Sequence, residues 1–169
     1  WTSPKPKKTV GIIRYGAFGD LLQTASIAKA LKAENYHVTL FCESRGYDVV
    51  KHDSNFDEFF IQDKDQVPNA NLGEFWAYWK TRFDKFINLS ESVEGSLLAI
   101  PDRIAVHWPQ SMRHKTMNKN YLEFMHDIAE TTYEWFKDGQ CFYPTKEERE
   151  WAKAERAKIE GVAILWPLA

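Results

Sequence analysis

A short run that joins an apolar strand to a helix constrains this 169-residue chain more than any other stretch. The run Val10-Gly-Ile-Ile-Arg-Tyr-Gly-Ala-Phe-Gly-Asp-Leu21 begins as a buried strand, turns at Gly16 and Gly19, and places Asp20 where a helix begins. In parallel α/β sheets, ligands bind at the carboxyl ends of the strands. Asp20 is therefore the first candidate for chemistry.

Two well-known phosphate-binding turns do not fit this run. A dinucleotide fingerprint needs the spacing G-x-G-x-x-G and a phosphate on the bare N-terminus of the helix. The chain has only Gly16-x-x-Gly19, and the carboxylate of Asp20 would compete with a pyrophosphate for the same N–H groups. The Gly-Lys-Ser/Thr ending of a P-loop is also absent. A structural alternative stays open, in which Asp20 is the helix N-cap and accepts a hydrogen bond from Leu22 or Gln23 N–H.

Apolar strands alternate with helices along most of the chain. Runs rich in β-branched and aromatic residues predict strands, and apolar residues at three- and four-residue spacing predict helices. The predicted strands are residues 9–14, 37–42, 56–61, 84–89 and 103–107, and the predicted helices are residues 20–34, 45–52, 72–82, 93–99 and 120–131. This order predicts an α/β fold with a doubly wound parallel sheet that is Rossmann-like.

The last part of the chain differs in character. Residues 145–160 predict a charged helix, with Thr145 and Glu148 at the spacing of a capping box, and residues 162–166 predict a new apolar strand. A strand without a following helix is an unfinished unit of a parallel sheet. We therefore interpret residues 1–8 as a disordered lead-in, 9–144 as one domain, 145–160 as a linker helix and 161–169 as the first strand of a truncated second domain.

Composition excludes several classes of protein. The hydrophobic fraction of 44% is enough for one core, and the net charge of −2 argues against a nucleic-acid-binding protein. The cysteines, Cys42 and Cys141, form no C-x-x-C pattern, so neither a disulfide framework nor a zinc site is expected. No apolar run approaches the roughly 20 residues that span a bilayer. A cytoplasmic protein is expected.

Three stretches resemble glycosyltransferase family nine, the ADP-heptose:lipopolysaccharide heptosyltransferases. The first is residues 10–32, a strand, a small-x-x-Gly-Asp turn and a helix that ends in Ala-Leu-Lys. The second is the strand and exit at residues 38–46, and the third is the Phe-Asp, apolar, Asn-Leu run at residues 83–89. The resemblance covers residues 10–100 and returns weakly at residues 143–168; its specificity lies in the order and spacing of the motifs.

The resemblance implies the amino-terminal, acceptor-binding half of a GT-B enzyme, in which two Rossmann-like domains face a cleft. It implies inverting transfer of a heptose-like sugar from a nucleotide-sugar donor, such as ADP-heptose, to a lipopolysaccharide-core or related glycan acceptor. No cofactor and no metal are expected. Asp20 matches the family's catalytic base, which takes the proton of the acceptor hydroxyl. The alternative is a non-catalytic carbohydrate-binding module on a degenerate glycosyltransferase fold.

Further residues near the expected cleft are candidates for substrate contacts. Arg45, after the second strand, could hold an anionic acceptor through its planar fork. Arg14, before the turn, is interpreted as a residue on the rim of the sheet. The candidate substrate-binding residues are Gly16, Ala17, Phe18, Gly19, Arg45, Ser90, Glu91, Arg113 and His114.

The functions of a basic segment, residues 103–119, and of an aromatic helix, residues 72–82, can each be interpreted in two ways. Residues 103–119 contain Arg113 and His114 but no acid, which suits an anionic glycan, although a solvated basic loop is the alternative. The aromatic residues of the helix at 72–82 could stack on sugar or touch a membrane surface, but core packing is the usual role at helical spacing. Peripheral association with the inner face of a membrane is therefore an expectation to be tested.

Overall fold

The computed structural model describes residues 8–62, 66–91, 108–134 and 142–161. Strands β1 (Lys8–Ile13), β2 (Tyr36–Cys42), β3 (Glu58–Ile61) and β4 (Lys85–Asn88) pair in parallel in the order β3-β2-β1-β4. The helices are α1 (Phe18–Ala33), α2 (Ser44–Val50), α3 (Leu72–Lys80), α4 (Gln110–Met117), α5 (Tyr121–Ala129) and α6 (Lys146–Ala157). The predicted α/β, Rossmann-like class is confirmed.

One face of the sheet packs against α1, α2 and α5. Successive strand residues point to opposite faces, so alternate residues of β1 and β2 enter this core. Its fully buried apolar members include Val10, Ile12, Leu21, Ile27, Leu31, Val38, Leu40 and Met125. Helix α2 approaches α1 closely because Gly46 has no side chain; a Cβ there would lie 2.7 Å from Leu21 Cγ.

The opposite face carries α3 and a layer of aromatic rings. Phe41 of β2 lies at its centre, with ring centroids between 4.9 and 6.4 Å from those of Phe60, Trp76, Trp79, Phe83 and Phe86. Gly11 of β1 makes room for this layer, because a Cβ there would lie 2.8 Å from Phe86 Cδ2. The aromatic side of α3 therefore packs, half-buried, against this face of the sheet, although Tyr78 is 52% exposed. Helices on both faces make the sheet doubly wound.

The observed strands and helices begin and end within a few residues of the predicted limits. β3 begins at Glu58 rather than at residue 56, because Phe56 N–H donates to Asp53 O in a turn. The capping box of α6 is confirmed: Thr145 Oγ1 accepts from Glu148 N–H at 3.1 Å, and Glu148 Oε2 accepts from Thr145 N–H at 2.7 Å. Helix α4 lies within the basic segment and was not predicted.

Several predicted features lie outside the described residues. These are residues 1–7 of the predicted lead-in, the elements at 93–99 and 103–107, Cys141 and the strand at 162–166. Lys8, the last residue of that predicted lead-in, begins β1 instead. The proposed domain limits stay predictions. Within the described ranges, no helix is both long enough and apolar enough to cross a membrane.

Candidate functional site

The candidate site lies where the carboxyl ends of β1 and β4 meet. β1 lies between β2 and β4, so the order of the strands reverses at β1. Such a reversal opens a crevice at the carboxyl ends, which is where open α/β sheets bind ligands. Ile13 and Asn88, the last residues of the two strands, are partners in register. The residues that follow them are therefore neighbours.

The turn after β1 brings Asp20 back towards the end of that strand. Gly16 has φ of +132°, which side chains rarely adopt, and a Cβ there would collide with Asp20 Oδ2. Asp20 Oδ2 accepts a hydrogen bond from Ala17 N–H at 2.8 Å, while Asp20 N–H donates to Ala17 O at 3.0 Å. Ala17 is the N-cap, and Asp20 is the third residue of α1. The alternative in which Asp20 is the N-cap is therefore wrong, because Ala17 holds that position and the helix begins at Phe18.

Arg14 is buried and binds the other oxygen of Asp20. Its side chain is 5% exposed, and its Nη2 lies 2.5 Å from Asp20 Oδ1. The same Nη2 donates to the Tyr121 hydroxyl oxygen at 2.9 Å, and Nη1 donates to Leu89 O at 2.9 Å. The interpretation of Arg14 as a rim residue is therefore wrong, because its side chain is buried and its guanidinium binds Leu89, just after β4, and Tyr121 of α5.

Asp20 stays accessible despite these contacts. Its side chain is 29% exposed. An ionised carboxyl offers about four lone-pair positions. The bonds from Arg14 and Ala17 therefore leave acceptor capacity for a hydroxyl group that approaches from solvent.

Tyr15, the residue just before the turn, contacts the ends of two other strands. Its N–H donates to Ser90 Oγ at 3.3 Å, and its hydroxyl donates to Gln62 Oε1 at 3.1 Å. Burial raises the pKa of the Tyr15 hydroxyl well above its ordinary value, and nearby Cys42 and Glu43 raise it further. Tyr15 therefore stays a neutral hydrogen-bond donor that ties the ends of β1, β3 and β4 together.

Most of the predicted substrate-binding residues gather beside Asp20. Residues 16–19 form the exposed turn itself, and Ser90 lies at the end of β4 within bonding distance of Tyr15. The guanidinium of Arg45 lies 5.2 Å from the centroid of the Phe18 ring, and Phe18 is 49% exposed. Glu91 closes the short 3₁₀ turn after β4, but its side chain lies outside the described part of the structure.

The basic segment is only partly described. On α4, Arg113 is half-buried and His114 is exposed, whereas Arg103 and His107 lie outside the described residues. Lys119, just after α4, forms an ion pair with Asp127 of α5. A role for Arg113 and His114 in substrate binding stays a prediction.

Sequence reasoning missed Tyr121 as a site residue. Its hydroxyl meets Arg14 although 107 positions separate the two residues. Tyr121 opens a helix that the apolar pattern did predict, but nothing local to that helix indicates contact with the turn after β1. Among the residues that the structure describes, no group of three or more His, Cys, Asp or Glu side chains could hold a metal ion.

Neither a protein-family model nor a curated protein matches this sequence. Among solved structures, the chain is similar to a glycosyl transferase family 9 protein from Veillonella parvula DSM 2008, with a TM-score of 0.55 and 14% sequence identity. The similarity covers 92% of this chain and 51% of that chain. This chain therefore spans about half the length of that protein, and the shared feature is the fold.

Proposed function

We propose that the protein is an inverting glycosyltransferase in which Asp20 is the catalytic base. The observation that carries the proposal is the placement of Asp20. Its carboxylate lies at the carboxyl end of β1, is fixed through both oxygens by Arg14 and Ala17, and is 29% exposed. The solved protein with a similar fold is a glycosyl transferase, which supports the same reaction class.

In the proposed reaction, Asp20 accepts the proton of an acceptor hydroxyl while that oxygen attacks the anomeric carbon of the donor sugar. The bond from the anomeric carbon to the diphosphate oxygen breaks, and its electron pair leaves with the nucleoside diphosphate. Attack from the face opposite the leaving group inverts the anomeric configuration. General-base catalysis of this kind contributes roughly 10²–10⁴-fold to a rate.

The glycine turn suits an acceptor that approaches closely. At Gly19, a Cβ would meet no atom within 4 Å, so space lies open beside the turn. At Gly16, the lack of a side chain lets the Asp20 carboxylate lie against the backbone. The open space beside Gly19 and the missing side chain at Gly16 therefore support the approach of a sugar hydroxyl to the carboxylate.

The proposed substrates are a nucleotide-sugar, with ADP-heptose as the first candidate, and an anionic glycan such as a lipopolysaccharide core. Arg45 and the exposed residue Phe18 offer a positive charge and an apolar ring at the rim, which supports binding of an anionic sugar. Arg113 and His114 would add to this charge. A lipid-linked acceptor would place the protein at the inner face of a membrane.

The departing diphosphate needs cationic groups or N–H donors to stabilise its charge. The family resemblance assigns these groups to a second domain, so the test uses the whole protein as its gene encodes it. Release of nucleoside diphosphate is measured with ADP-heptose, UDP-glucose and GDP-mannose, with and without a lipopolysaccharide-core acceptor. We expect acceptor-dependent release from one of the donors.

The decisive variant is Asp20→Asn, which keeps an oxygen acceptor for Arg14 or Ala17 but cannot take a proton from a hydroxyl. We expect at least about a hundredfold loss of kcat. Thermal unfolding serves as the control for folding. Turnover within a few-fold of the unsubstituted protein would remove Asp20 as the base.

A carbohydrate-binding module is the second candidate. It is favoured by the fact that both oxygens of Asp20 already serve structural hydrogen bonds. Glycan binding without turnover of any of the three donors, and binding that survives Asp20→Asn, would support this candidate over the enzyme.

A further inference from the structure

The contacts of Arg14 extend the site into α5. We propose that Tyr121, acting through Arg14, is a positioning residue for Asp20. The inference rests on the proposed function and adds a residue, 107 positions from Arg14 in the chain, whose hydroxyl sets the orientation of the base.

The first step is the pair of hydrogen bonds that Arg14 Nη2 donates. Each terminal nitrogen of a guanidinium carries two hydrogens in a fixed plane. On Nη2, one bond goes to Asp20 Oδ1 at 2.5 Å and the other to the Tyr121 hydroxyl oxygen at 2.9 Å. Because both bonds leave one nitrogen, the position of the tyrosine oxygen fixes the direction of the bond to the carboxylate.

The second step is the rigidity of Tyr121. It is the first residue of α5, whose start is fixed by Asn120, the N-cap, through a bond from Leu122 N–H to Asn120 Oδ1 at 2.9 Å. Further along α5, His126 is 1% exposed, and its Nε2 lies 3.0 Å from Ser26 Oγ of α1. The helix that carries Tyr121 is therefore tied to the helix that carries Asp20.

The third step is the effect on the reaction. A small misplacement of a reacting group can cost about a hundredfold in rate. Without the tyrosine oxygen, Leu89 O and Asp20 still hold the Arg14 fork, so the loss should be partial. Tyr121 acts through Arg14, so its removal should lower kcat and leave KM for both substrates unchanged.

The test compares Tyr121→Phe and Arg14→Lys with Tyr36→Phe in the whole protein. Tyr36 is a matched control because it also packs, partly buried, against the same core cluster. Besides kcat and KM, NMR hydrogen exchange is measured at Ala17 N–H, which donates to Asp20 Oδ2. Asp20→Ala supplies the reference rate for loss of that bond, and this readout needs no substrate.

We expect Tyr121→Phe to lower kcat about tenfold at constant KM, and to bring exchange at Ala17 N–H closer to that of Asp20→Ala. Arg14→Lys should show a larger loss, because an ammonium cannot replace the planar fork. Tyr36→Phe should match the unsubstituted protein in both readouts.

Two results separate the inference from the proposed function. If Tyr121→Phe leaves exchange at Ala17 N–H within twofold of the unsubstituted protein, the positioning role is overturned, even if kcat falls. If exchange accelerates in Tyr121→Phe while Asp20→Asn keeps full turnover, the positioning contact stands and the proposed base is wrong.

Discussion

The guanidinium carbon of Arg45 lies 5.2 Å from the centroid of the Phe18 ring, so the first turns of α2 and α1 meet at the rim of the site. A cation over an aromatic face is attracted by the ring quadrupole. The contact holds a positive charge beside the turn that carries Asp20.

This contact predicts a specific effect on acceptor binding. Arg45→Ala should raise KM for an anionic acceptor about three- to tenfold and change kcat less, because such a group binds the ground state and the transition state alike. The double substitution Arg113→Ala with His114→Ala should have the same effect on KM and kcat. Steady-state kinetics with varied acceptor checks the effect.

Arg82 supplies a matched control for Arg45. It lies 4.7 Å from the Tyr78 ring, just before β4 begins and therefore at the amino end of that strand, away from the turn. Arg82→Ala should leave KM unchanged. Equal changes in KM for Arg45→Ala and Arg82→Ala would assign the effect to general charge and not to the rim.

The two glycines of the turn should respond differently to alanine. Gly16→Ala places a Cβ at φ of +132° and against the Asp20 carboxylate, so we expect a loss of about 1–3 kcal/mol in unfolding free energy, together with most of the activity. Gly19 lies within the first turn of α1 with no atom near its missing Cβ. Gly19→Ala should stabilise the helix by about 0.5–1 kcal/mol. Urea unfolding checks both changes, and equal effects at the two positions would contradict the geometry of the turn.

The environment of Asp57 predicts that the stability of the folded protein depends on pH. Burial acts to raise the pKa of its carboxyl, but an ion pair with Lys32, a bond from Val38 N–H at 2.8 Å and the nearby His37 together hold that pKa below its ordinary value. A carboxyl with a lowered pKa in the folded state stabilises above its unfolded pKa, and loses this contribution as pH falls through the folded value.

Asp57→Asn should therefore be less stable than the unsubstituted protein at pH 5, by at most about 1 kcal/mol, and the difference should shrink as pH falls below about 4. Urea unfolding between pH 5 and 3 checks this. Asp48→Asn is the control, because Asp48 pairs with Lys51 on the surface with its side chain 67% exposed. A difference that grows towards pH 3 would show that the sign is wrong.

Cys42 should be unreactive in the native protein. Its thiol is fully buried at the end of β2, and burial, with a smaller effect from Glu43, raises its pKa to about 12. The thiolate is the reactive form, so native protein should resist iodoacetamide at pH 8, and urea-unfolded protein should react. Mass spectrometry of the peptide that contains Cys42 measures this. Rapid alkylation without urea would contradict the burial of the strand end.

The strands and the main helices could be predicted from sequence because local patterns determine them. β1 and β2 are apolar runs with both faces covered, and α1 shows apolar residues at helical spacing. Helix α4 was not predicted because its sequence, QSMRHKTM, has no apolar periodicity. An exposed polar helix leaves no pattern that distinguishes it from a solvated loop.

Asp20 could be found from sequence because a strand, a glycine turn and a helix start are consecutive in the chain. The environment of Arg14 could not be predicted from sequence. Its partner Leu89 O comes from 75 positions away and Tyr121 from 107, and the same residue type at a strand end is equally compatible with the rim. Only the packing of α5 against α1 decides between burial and exposure.

β1 has hydrogen-bonded neighbours on both sides, and the turn that carries Asp20 leaves directly from its carboxyl end. A strand paired on both edges belongs to the part of a protein that unfolds last. Asp20, in the first turn of α1, is bound to Arg14, which follows this strand directly, while Phe18, Arg45 and Ser90 lie around it. Under the proposed function, exchange of those surrounding residues would change the preference for acceptor while the Asp20 carboxylate keeps its place.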